Sequence, residues 1–118
     1  MSFINKKGKT TAWRKMVIRQ QVTDVIAYGK IITTITKAKE TQKHVDKLIT
    51  LAKNPTLFNI RRMHAIVLDN SKLTKDEVVK KAIEIAKKYK DRKGGYTSVL
   101  RVDERLGDNT STALLRLV

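Results

Sequence analysis

The sequence has no cysteine and a single proline. Without thiols there is no disulfide scaffold, no thiolate metal site and no thiol nucleophile, a usage that fits a reducing compartment. Long apolar runs are missing too. The longest uninterrupted aliphatic stretch is Ala65-Ile66-Val67-Leu68, far short of the ~20 residues that cross a bilayer. Residues 1–23 lack an apolar h-region and do not read as a secretory signal. They also lack acids: the first carboxylate is Asp24, which follows Lys6, Lys7, Lys9, Arg14, Lys15 and Arg19. Histidine is scarce. His44 and His64 are the two present, both in predicted helices and neither with a partner at metal-ligand spacing. No G-x-S-x-G nucleophile motif occurs. These absences point away from an enzyme, a metal site and a cofactor.

What is present is positive charge on a chain long enough for one domain. The 118 residues are 41% hydrophobic, which supports a modest core and argues against wholesale disorder. Twenty-six lysines and arginines face 11 acids, for a net charge of +15. A polyanion is the expected partner of such a chain. The excess is uneven: residues 1–62 hold 14 bases and 3 acids, and residues 63–118 hold 12 bases and 8 acids. The N-terminal half therefore carries the electrostatic footprint.

Periodicity divides the chain into a basic N-terminal arm (1–10) and a single α+β domain (11–118). The arm shows neither helical nor strand period. A helix is expected from Thr11 to Ala27, with Ile18, Val22, Val25 and Ile26 as its apolar stripe and Gly29 as its stop. Lys30 to Ile35 is β-branched at nearly every position and predicts a short strand. A second helix opens at Thr36, carries Val45, Leu48, Ile49 and Ala52 on one face, and ends at Asn54-Pro55. A third covers Thr56 to Leu68, with Leu57, Ile60, His64 and Val67 on one line. Thr74 and Glu77 form a capping box for a fourth helix, whose inward face is Val78, Val79, Ala82, Ile83, Ala86 and Tyr89. Tyr96 to Val102 and Ser111 to Val118 alternate as strands about a polar hairpin loop. The expected architecture is helix, strand, three helices, two strands, with helices packed on a small mixed sheet.

Several basic clusters are candidate contacts with a nucleic acid. Gly8-Lys9-Thr10 is not a nucleotide-binding loop, because Phe3 stands where the first glycine belongs and no strand precedes it. Trp13 beside Arg14 and Lys15 is either a base-stacking indole flanked by phosphate-binding cations or a helix-start residue partly in the core. Lys15 and Arg19, four apart, share a helix face. Arg61-Arg62 sits on one side of the third helix. In Arg92-Lys93-Gly94-Gly95-Tyr96 two glycines permit close backbone approach, with charge and a ring on either side. Arg105 to Asn109 is either a hairpin tip or a second contact loop. Duplex DNA fits poorly, because Asn54-Pro55 stands where a helix-turn-helix needs a tight turn. A membrane surface also fits poorly, since the polar face of the first helix includes Gln20, Gln21 and Asp24.

Taken in order, these motifs carry a resemblance. Lys7-Gly8-Lys9-Thr10-Thr11-Ala12-Trp13-Arg14-Lys15, Thr33-Thr34 with Lys37-Ala38-Lys39-Glu40, and Leu48-Ile49-Thr50-Leu51-Ala52-Lys53 are followed by Arg61-Arg62. Arg92 to Thr97, Arg105 to Asn109 and a terminal Leu117-Val118 complete the series. The chain closely resembles the bacterial large-subunit ribosomal protein L-seventeen family over almost its whole length. The resemblance implies a cytoplasmic, non-enzymatic structural constituent of the large ribosomal subunit. Such a protein would bind large-subunit (23S) ribosomal RNA and neighbouring large-subunit proteins, and contribute to subunit assembly and translation. It further implies no cofactor, no small-molecule substrate, no membrane and no homo-oligomer. By position, the RNA contacts it implies lie at Lys7 to Lys15, at the strand-to-helix junction Thr33, Thr34, Lys37 and Lys39, and at Arg92 to Tyr96. The residue-level reading adds Lys6, Arg19, Arg61, Arg62 and Arg105.

Overall fold

A computed structural model describes residues 10–118; Lys6, Lys7 and Lys9 lie outside the described residues. In chain order the elements are α1 (Thr11–Tyr28), β1 (Lys30–Thr34), α2 (Ile35–Ala52), α3 (Leu57–Ile66), α4 (Lys75–Lys88), β2 (Thr97–Glu104) and β3 (Ser111–Leu117). This is the expected order. The helix ends follow local chemistry. The Thr10 and Thr74 side chains accept hydrogen bonds from the backbone N–H groups of Trp13 and Glu77, each answering a donor that lacks an intrahelical partner. Gly29 closes α1 at φ +83°, in the left-handed region where a Cβ is costly.

The strands form one sheet in the order β1-β3-β2, and both pairings are antiparallel. The sheet is therefore not mixed as expected. The hairpin delivers β3 to the centre, and β1 pairs with its free side, so the two parallel-running strands never become neighbours. Ile32, Leu114 and Leu100 stand in one cross-strand row. The hairpin carries a register shift between Arg101 and Glu104, the signature of a bulge.

The core joins the four helices to one face of the sheet. Val22, Val25 and Ile26 of α1 meet Val45, Leu48 and Ile49 of α2, Met63 of α3, Val78 and Ala82 of α4, and Ala113 and Leu115 of β3. Two expected faces need correction. On α3 Met63 is buried beside the expected Ile60, which packs against the core, and Val67 just past the helix is buried as expected, whereas Leu57 and Phe58 are exposed among the described residues. On α4 Ile85 is buried and Ile83 only partly so.

Candidate nucleic-acid interface

α1, β1 and α2 pack against one another in the basic N-terminal half of the chain. The first turns of α1 and α2 contain no acid, whereas α4 begins with Asp76 and Glu77. A helix N-terminus carries partial positive charge and exposed N–H donors, so an acid in the first turn, as on α4, is stabilising. Trp13 is 38% exposed, with the Lys37 ammonium 5.5 Å from its ring centroid. Arg14 donates to the Thr11 hydroxyl at 3.0 Å. Lys15 and Lys39 are exposed.

Gln21 ties these elements together. Its amide nitrogen donates to Thr33 Oγ1 at 3.0 Å, and its amide oxygen accepts from Thr41 Oγ1 at 2.7 Å. Thr34, the N-cap of α2, is buried and makes no side-chain capping bond. Trp13 and Lys37, from the starts of two different helices, therefore share one surface. Gln21 carries no sequence signal for this role, which depends on how α1 docks against β1 and α2.

Arg19 faces the other way. Its guanidinium donates to the carbonyls of Ile66 and Val67 at 3.4 and 3.1 Å, at the end of α3, where a cation complements the helix dipole. It is a clasp inside the fold and does not share Lys15's exposed setting.

The remaining candidates lie on separate elements. Arg61 and Arg62 are exposed on α3, with Arg62 stacked over Phe58 at 5.7 Å. Arg92, Lys93, Gly94 and Gly95 are exposed between α4 and β2. Gly95 has φ +63°, and a Cβ at either glycine would meet nothing within 4 Å. The turn thus needs glycine at 95 for its backbone conformation, while nothing inside the chain requires one at 94.

Tyr96 is 1% exposed and offers no stacking face to a base. Its hydroxyl donates to the Arg92 carbonyl at 3.2 Å, and the ring packs on Tyr89 at 5.4 Å. Lys53, which the sequence marks only as the end of the Leu48–Lys53 motif, sits 4.5 Å over this ring and donates to the Arg92 carbonyl. Its ammonium holds the Tyr96 phenol below its usual pKa. Lys53 and Arg92 are 39 residues apart, so no local pattern could pair them.

Arg105 is engaged by a carboxylate. Asp108 accepts from its guanidinium at 2.6 and 3.2 Å, a bidentate fork that holds the Asp108 carboxyl well below the usual range. The two histidines have structural settings. His64 lies 3.5 Å from Asp76, and burial lowers the pKa of His44. Among the described residues no group of three or more His, Asp or Glu could hold a metal ion, and no helix is long and apolar enough to cross a membrane.

The fold is that of a small, strongly basic α+β domain whose first two helices begin without an acid. Comparison with known proteins makes that class specific. The Ribosomal protein L17 family profile matches residues 17–118. The chain is 58% identical to the large ribosomal subunit protein bL17 of Malacoplasma penetrans, with both chains covered completely. It is 56% identical to the protein of that name from Ureaplasma parvum serovar 3 and 45% identical to that of Mesoplasma florum, again with full coverage of both chains. The chain belongs to the ribosomal protein L17 family, and so to the ribosomal proteins and not to the enzymes.

Proposed function

We propose that the protein is a structural constituent of the large ribosomal subunit in the cytoplasm, where it binds 23S ribosomal RNA and supports subunit assembly and translation. Full-length similarity to relatives bearing the large-subunit name supports this reading. The observation that carries the RNA contact is the surface at the starts of α1 and α2, where the first turns contain no acid and Lys15 and Lys39 are exposed. Phosphates there would meet helix N–H donors and cations together. Trp13 is exposed enough to stack on an unpaired base. In sequence, the arm of residues 1–10 extends this charge through Lys6, Lys7 and Lys9. The exposed Arg61, Arg62, Arg92 and Lys93 add phosphate contacts, and Gly94 leaves room for a sugar-phosphate backbone. Recognition of this kind reads RNA shape and 2′-hydroxyls more than base sequence.

The test is co-sedimentation with large subunits through a high-salt wash. Retention at one copy per subunit is the expected result. Release at moderate salt, or equal binding to any duplex DNA in competition, would remove the reading.

A further inference from the structure

Resting on that large-subunit reading, we propose that the β2–β3 hairpin is a protein-docking arm, and that its partner is a basic polypeptide surface with an apolar pocket for Leu106. The hairpin breaks the electrostatic rule of the molecule. Its tip, residues 103–110, contains Arg105 against Asp103, Glu104 and Asp108, a local net charge of −2, and the whole hairpin, residues 97–117 with Arg101 and Arg116 included, is neutral in a chain of +15. Phosphates are repelled by such a tip. Arg105 does not offset this, because its guanidinium is already gripped by Asp108. The hairpin also contains no aromatic residue, so it has no ring on which a base could stack.

What it presents is aliphatic. Leu100 is 43% exposed, Val102 48% and Leu106 98%. Leu106 stands on a tip locked by several hydrogen bonds. Arg105 N–H donates to the Thr110 carbonyl at 2.8 Å, Asn109 N–H to the Arg105 carbonyl at 2.9 Å, and Thr110 N–H to Asp108 Oδ1 at 3.2 Å. Gly107 at φ +99° and Asn109 at φ +56° complete the turn. A rigid tip loses little conformational entropy when its apolar residue enters a pocket. The acids at 103 and 104 supply a charged rim around the apolar anchor, and complementarity then requires lysine or arginine on the partner. Leu100 continues the aliphatic surface through its cross-strand row with Leu114 and Ile32.

The absence of cysteine makes the experiment direct. Leu106→Cys and, separately, Lys39→Cys are labelled with benzophenone maleimide, incorporated into large subunits and irradiated. The Lys39→Cys label is expected on RNA and the Leu106→Cys label on a peptide rich in lysine or arginine. A Leu106→Cys label found on RNA, or on nothing, overturns the docking assignment even when the Lys39→Cys label reaches RNA. Failure of the chain to enter subunits at all defeats the large-subunit reading, and the hairpin assignment with it. A second variant, Asp103→Lys with Glu104→Lys, changes exposed positions only. Its occupancy in salt-washed subunits should fall on the order of tenfold or more, as expected for a disrupted hot-spot rim. Unchanged occupancy overturns the proposal.

Discussion

Among the described residues, cations reach across the fold to backbone carbonyls far away along the chain. Arg19 reaches the end of α3, Lys81 donates to the Ala27 carbonyl near the end of α1 at 2.5 Å, and Lys53 donates to the Arg92 carbonyl. Neither α1 nor α2 has a base of its own in its last turn. For α1 the cation arrives from another helix, where it meets the partial negative charge of the terminus. Arg19→Ala should therefore lower unfolding free energy by about 1–2 kcal/mol, the scale for a charge-assisted hydrogen bond to partly buried groups. Lys15→Ala, on the exposed side of the same helix, should change stability by less than about 0.5 kcal/mol. Urea denaturation of the two variants separates the roles, and equal midpoints would remove the clasp.

Among the elements, the turn between α4 and β2 divides two adjacent glycines by function. Gly95 occupies the left-handed region at φ +63°, and the space around it is open. Gly95→Val should cost about 1–2 kcal/mol through backbone conformation alone. Gly94→Ala should leave thermal stability within about 0.5 kcal/mol, because its Cβ meets nothing and its φ is ordinary. If Gly94→Val also binds ribosomal RNA as well as the parent does, close approach of a sugar-phosphate backbone at this turn is excluded. Calorimetry and filter binding on the same preparations read both effects. The element boundaries were largely legible beforehand, since Thr10, Gly29, Pro55 and the Thr74–Glu77 box act within a few residues of themselves. The α3 face was legible only in part: helical spacing puts Leu57 and Ile60 on one line, but only packing decides that Ile60 meets the core and Leu57 is exposed.

For the molecule as a whole, charge separates into three populations. Arg19, Lys53 and Lys81 are internal clasps, Arg105 is paired with Asp108 on an acidic hairpin tip, and Lys15 and Lys39 at the starts of α1 and α2 are exposed. With about 6–10 phosphate contacts, affinity for ribosomal RNA should fall roughly 10³- to 10⁵-fold between about 50 and 200 mM salt. Lys39→Ala should make the log–log salt slope shallower by about one, and Arg105→Ala should leave it unchanged. A slope that responds equally to both would mean that the hairpin also meets phosphate. The sequence by itself determined the order of elements, the sign and N-terminal bias of the charge, and the family resemblance, because all three reside in local patterns and their succession along the chain. Tertiary structure alone decided which cations are drawn into the fold as clasps, that Tyr96 is core, and that the sheet is wholly antiparallel. Those outcomes depend on contacts such as Arg19 with Ile66 and Lys81 with Ala27, 47 and 54 residues apart, where periodicity and propensity carry no information.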